Sequence, residues 1–342
     1  MAGMTTPNFA TPAVPSLLTV ILRERRVESG HYGHLAIVSP DGETRFAMGG
    51  PQQPIYARST LKPIQILPLF LTGAANAYGL PDTALAVGMA SHAGQPMHVE
   101  AVDDLLARAG LSADQLQCGT HMPLHEPTAH QLIREGREPE VRQCNCSGKH
   151  AAMLAVCRHE GWSLETYRDP DHPLQRWIRE LIGSFTDLAP GAIGYGVDGC
   201  GVPVWNLPLD KLALAFARLG EPDSLEGDLR AAVQRATTVM TRHPELISGP
   251  GRLDTELMRA GEGRLIAKIG GEGVHAGAVR GARLGWAMKV MDGNRRAIAP
   301  ALASALAQLG HPIPVTEGLQ THLAPVVKNN RGEIVGSIEA AF

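Results

Sequence analysis

Lysine is scarce in this chain. Only six of its 31 basic residues are lysines, at positions 62, 149, 211, 268, 289 and 328, so a lysine inside a motif carries information. Long apolar runs are also missing. The longest candidate, residues 63–75, holds two prolines and a glutamine and falls short of the roughly 18 apolar residues of a membrane span. No excess of positive charge is present either. The net charge is −3, which gives no reason to expect nucleic acid or an anionic membrane as a partner. Arginine clusters such as Arg23-Glu-Arg-Arg26 are short and mixed with acids, as on a solvated face.

An export signal is not visible. Residues 1–15 lack a basic segment followed by an apolar core, and Pro7, Pro12 and Pro15 interrupt them. They read as a disordered N-terminal arm, leaving 16–342 as the folded domain. Cysteine is limited to positions 118, 144, 146, 157 and 200. An odd count without an export signal argues for a reducing compartment, hence a cytoplasmic location, with free or metal-bound thiols.

What is there is ordinary globular material: 342 residues, 44% hydrophobic and 19% charged. That suits one large domain or two closely joined ones. Residues 17–23 read as a strand, and 34–38 with 44–48 as a hairpin around Ser39-Pro-Asp-Gly-Glu43. Further strands are expected at 264–271 and 284–290, with a closing hairpin of 324–328 and 333–339. Helices are expected from Ser59 to Gly73, then at 82–91, 99–109, 151–159, 172–183, 209–219, 225–242 and 297–309. Strands at both ends with helices between predict a mixed α/β (α+β) fold, an antiparallel or mixed sheet packed by helices.

Three constellations are able to carry chemistry. The first is Ser59 with Lys62, three residues apart at the head of an apolar stretch, where one helical face brings them together. With 13 serines and 6 lysines in the chain, chance supplies roughly 0.2 such Ser-x-x-Lys pairs. A serine beside a base is an acyl-transfer nucleophile, provided the lysine is neutral. The bland alternative is a serine near a helix start and a lysine on its exposed side. The second is Ser91 with Lys268, which only a fold can join; singly, Lys268 also reads as a surface lysine on a strand and Ser91 as a polar residue at a helix C-terminus. The third is Cys146 and Lys149 with Cys200, near Cys144, His150 and Asp198. Two cysteines in glycine-containing turns suit zinc, or else are two buried free thiols.

Taken together, the runs Arg58-Ser-Thr-Leu-Lys-Pro63, Ala90-Ser-His-Ala-Gly94, Asn145-Cys-Ser-Gly-Lys-His150, Gly196-Val-Asp-Gly-Cys200 and Ala267-Lys-Ile-Gly-Gly271 resemble the rhizobial-type (class 3) L-asparaginases, also called asparaginase II. The resemblance runs from about residue 17 to the C-terminus. It implies a fold similar to serine β-lactamases and glutaminases, one catalytic domain with a mostly helical second lobe. It implies hydrolysis of L-asparagine, with Ser59 as nucleophile, Lys62 as its base, and Ser91 with Lys268 as a second pair. It implies zinc held by Cys146, Lys149 and Cys200, a substrate pocket containing Arg58, His150 and Asp198, and a homodimer. A glutaminase or other small-amide hydrolase, and a hydrolase using zinc-bound water, are the competing expectations.

Overall fold

Apolar segments from the two ends of the chain pair with each other and enclose a helical middle. The computed structural model describes residues 13–342. Residues 1–12 of the expected arm lie outside the described residues; within its remainder, the Ala13 N–H donates to Gln53 Oε1 at 2.9 Å. In chain order the strands are β1 (Ser16–Arg23), β2 (Arg26–Val38), β3 (Thr44–Met48), β4 (Pro54–Tyr56), β5 (Gly194–Val197), β6 (Pro203–Pro208), β7 (Leu265–Ile269), β8 (Val274–Val279), β9 (Leu284–Val290), β10 (Val326–Lys328) and β11 (Ile334–Ala340).

The large sheet runs β10-β11-β1-β2-β9-β8-β7, with β3 also pairing with β2. Every pairing is antiparallel. The chain's two ends therefore meet at β1 and β11, where Ile21 stands opposite Ile338. Strand β9 is buried along almost its whole length, as befits a strand covered on both faces. One cover is the helix Leu209–Gly220, which packs on β2, β8 and β9. It lies so close that a Cβ on Gly285 would sit 2.1 Å from Ala217 N, so only glycine fits there. A smaller sheet, β4-β6-β5, ties the start of the helical lobe to its end.

The helical lobe is built around Ser147–Glu160. Its residues 147–157 are all buried, and it packs against Asp82–Gly88 and Pro96–Arg108. A helix enclosed on all sides explains why its sequence shows no amphipathic stripe. Among the described residues, no helix is long and apolar enough to cross a membrane.

The long helix expected from Ser59 to Gly73 is instead three pieces. A 3₁₀ turn covers Arg58–Leu61, followed by α-helical Lys62–Gln65 and Leu67–Leu71. The break at Ile66 precedes Pro68, whose ring lacks an N–H and crowds the carbonyl of Ile64. Strand β8 and the helix Glu126–Glu135 were not expected. The first was concealed in a glycine-rich run and the second in a polar stretch.

Candidate active site

A cavity of about 610 Å³ opens where the 3₁₀ turn, the end of β7 and the loops after residues 90, 118, 144 and 198 converge. Ser59, Ser91, Arg58, Asp198, Cys146 and Cys200 all line it. Ser59 is partly exposed, and its hydroxyl makes no hydrogen bond among the described residues. The residue before it, Arg58, is held at φ +52°, a left-handed conformation that costs a non-glycine residue about 1 kcal/mol or more. Its surroundings enforce that geometry. Thr60 Oγ1 donates to Ala57 O at 2.7 Å, the Ala57 N–H donates to Trp205 O at 2.9 Å, and Gly270 leaves just enough room for Ala57 O.

Lys62 is fully buried, but its amine does not meet the Ser59 hydroxyl. It donates to Ala90 O at 2.5 Å, to Asn145 O at 3.2 Å and to Cys146 Sγ at 3.2 Å. Three acceptors match the three N–H donors of an ammonium. The expected i, i+3 contact is absent because the side chain turns inward to hold two loops.

The second pair does meet. Lys268 Nζ donates to Ser91 Oγ at 2.9 Å across 177 residues of sequence, and also to Ile269 O at 2.9 Å. Burial pushes the Lys268 amine down to about 7; the charges of Lys62 and Arg252 push the same way, and Asp254 opposes them. Ser91 is fixed from behind by its own N–H, which donates to Ile247 O at 2.9 Å, and by its neighbour His92, bonded to Ser147 Oγ at 2.9 Å. Asp254, fully buried, accepts from the Ile269 N–H at 2.8 Å and pairs with His275 Nε2 at 3.2 Å. Burial alone would raise this carboxyl, but the His275 hydrogen bond and the Lys268 charge bring it down to about 2.

Four thiols, those of Cys118, Cys144, Cys146 and Cys200, gather at the cavity wall. Cys144 Sγ donates to Cys118 O at 3.7 Å, and Cys146 Sγ accepts from the Lys62 amine. The neighbouring Cys144 and Cys200 thiols, aided by the Lys62 and Lys149 charges, hold the Cys146 thiol well below the usual thiol range. Lys149 is buried and donates to Cys200 Sγ at 3.1 Å. Two thiols and a lysine amine thus meet, residue types that fit zinc. Burial lowers the Lys149 amine, but the Cys200 and Cys146 charges hold it above its ordinary range, so it would bind a metal only on losing that proton. Among the described residues, no group of three or more His, Cys, Asp or Glu side chains forms a metal cluster, and the Cys-Lys-Cys set counts only two such residues.

Residues 19–340 match the L-asparaginase II family model. The chain belongs to the L-asparaginase II family. It is accordingly an amidohydrolase. Comparison with curated proteins returned no match. Among solved structures, a β-lactamase from Mycobacterium bovis is 14% identical at a TM-score of 0.39, covering 82% of this chain and 95% of its own. A Bacillus glutaminase is 12% identical at 0.38, covering 82% and 92%. Mglu in its L-glutamate binding form is 15% identical at 0.38; 87% of this chain is covered, and the match spans 64% of the Mglu chain.

In this asparaginase II chain the three lysines of the matching runs, 62, 149 and 268, are fully buried, whereas Lys211, Lys289 and Lys328 are not. Arg58 Nε donates to Asp198 Oδ1 at 2.9 Å at the cavity wall. Gly271 keeps the space for that guanidinium, which would stand 3.0 Å from a Cβ there. His150 is placed differently from the other expected pocket residues. It is fully buried one layer back, its Nδ1 shares a hydrogen bond with the Tyr167 hydroxyl at 2.6 Å, and its Nε2 has no partner. Residues not singled out from sequence also belong to the site: Asp254 behind Lys268, and Arg252 and Arg295 at the cavity rim. The signal for Asp254 was an acid on the apolar face of the helix Leu253–Gly261, and no local signal marked the arginines.

Proposed function

We propose that this amidohydrolase converts L-asparagine to L-aspartate and ammonia, with Ser59 as nucleophile. The observation that carries the reading is the Lys268–Ser91 contact at 2.9 Å in the cavity that also holds Ser59. Ser59 Oγ attacks the side-chain amide carbon and gives up its proton through Ser91 to the Lys268 amine. The oxyanion is met by the first amides of the Arg58–Leu61 turn, which have no intrahelical partners. The same pair returns the proton to the departing ammonia. Water then cleaves the acyl-enzyme and releases aspartate. Asp198 faces the substrate's α-ammonium group as its counter-charge.

The buried Lys62 amine, which the resemblance implies as the base, donates to three acceptors that anchor the 90 and 145 loops, and its charge disfavours a proton on Lys268. In this reading the base is Lys268, whose amine burial brings down to about 7.

Ammonia release from asparagine and from glutamine tests the reading. Glutamine, one methylene longer, is the second substrate to try. For the favoured substrate, kcat/KM is expected to rise with pH to a plateau, with an apparent pKa near 7, as Lys268 loses its proton. A profile flat between roughly pH 6 and 9 would remove Lys268 from the base role.

Cys146, Lys149 and Cys200 would hold a zinc ion. When bound, it would supply a fixed positive charge that orients the substrate. Purified protein is expected to carry one zinc per chain and to gain about 2.7 kcal/mol of stability at a hundredfold excess of metal over its dissociation constant. Cys200→Ala should lose both effects; wild-type protein that takes up no zinc ends the metal assignment. The homodimer implied by the resemblance and the cytoplasmic location suggested by the cysteines stay part of this proposal, and the mass in solution tests the first.

A further inference from the structure

A second cavity, of about 440 Å³, adjoins the catalytic one and shares Arg252, Ile269 and Arg295 with it. Its walls come from the loop 248–254, the turn Arg295–Ala297 and the helix Glu317–Leu323. Three arginines line it: 252, 295 and 296. Among the described residues, neither Arg252 nor Arg295 makes a side-chain hydrogen bond or ion pair. Arg252 is half-buried, so its charge lacks both full hydration and a protein partner. Burial and the neighbouring Arg295 charge both disfavour its charged form.

A second observation points the same way. Ser248 lines this cavity, is only 1% exposed, and its hydroxyl has no hydrogen-bond partner. An unpaired buried donor beside unpaired guanidiniums suits an acceptor-rich anion. The one carboxylate on the wall, Asp254, favours the Arg252 charge but makes no ion pair with it among the described residues. Its Oδ2 is taken by the Ile269 N–H and its Oδ1 by His275. His322 also lines the cavity, with its Nε2 donating to Gly251 O at 3.0 Å. Arg296 donates through Nε to His31 at 2.9 Å.

We propose that this second cavity is a binding site for a small oxyanion, a carboxylate or phosphate, held by Arg252 and Arg295 with the Ser248 hydroxyl as a third donor. The site shares Arg252 and Arg295 with the catalytic cavity, and the proposal does not depend on which amide the enzyme hydrolyses.

Calorimetric titration of the full chain at low salt with inorganic phosphate, and separately with succinate, tests it. One saturable site is expected for at least one of the two, and the tighter of them identifies the source of the anion. Arg252→Ala should weaken binding tenfold or more, and Ser248→Ala and the exposed Arg295→Ala several-fold each. Arg58→Ala, which alters only the catalytic cavity, should leave it unchanged. Loss of binding in Arg58→Ala would place the anion in the catalytic cavity and overturn the proposal. So would the absence of saturable binding for both anions, or binding unaffected by Arg295→Ala, a variant whose surface position keeps the test independent of folding.

Discussion

Ser59→Ala is expected to lower kcat for amide hydrolysis by roughly 10³-fold or more, while KM stays within a few-fold. The geometry makes this a clean substitution. The hydroxyl has no hydrogen bond to lose among the described residues, and the side chain is partly exposed on a turn fixed by its neighbours. Removing one oxygen there should change stability by no more than about 0.5 kcal/mol. The left-handed Arg58 stays where it is, because Thr60, Trp205 and Gly270 hold it and not Ser59. Lost turnover with an unchanged melting curve would therefore report on chemistry alone. A hydrolase that used zinc-bound water would keep activity within a few-fold of wild type. Zinc content measured on the same sample separates the two mechanisms, since Ser59 is not among the three donors.

Much of the large sheet was legible in sequence because its strands carry their own local pattern. β1, the hairpin of β2 and β3, β9 and the closing β10–β11 hairpin alternate or run apolar between clear turns. The rest was hidden for identifiable reasons. β8 reads Val-His-Ala-Gly-Ala-Val, too small and glycine-rich to signal a strand, yet Gly277 is small because Trp286 of β9 lies where its Cβ would be. β4 and β5 are three and four residues long and depend on β6 for their existence.

The site divides similarly. Sequence motifs marked the runs that carry Ser59, Ser91, Cys146, Cys200, Asp198 and Lys268, and the fold brings all six to one cavity or its immediate wall. Spacing alone said that Lys62 reaches Ser59. The three carbonyl and sulfur acceptors that draw it elsewhere come from residues 90, 145 and 146, which no local pattern reveals. The role of Asp254 was hidden for the same reason: its partners lie 15 and 21 residues away on two strands.

Lys268→Met is expected to separate the two consequences of burying a lysine. Activity should fall by about 10²–10⁴-fold, the usual range for removing a general base. Stability should move the other way below neutral pH. The Lys268 amine has a value of about 7 when folded and 10.5 when free. Below about pH 7 the amine is charged in both states, and the full cost of burying that charge weighs on the folded protein. From there up to 10.5 the unfolded chain binds the proton and the folded chain does not, so stability climbs by up to about 1.4 kcal/mol per pH unit. Above 10.5 the effect has ended. Attraction to Asp254 is already contained in this balance, because the net displacement of Lys268 remains downward. Methionine has nearly the same length and no charge, and Asp254 keeps its bonds to Ile269 and His275. The variant should therefore melt above wild type near pH 6, and the gap should close as pH approaches about 10. Parallel melting curves across that range, or a variant that retains kcat within a few-fold, would mean that Lys268 enters the folded state charged and that the proton from Ser59 goes elsewhere.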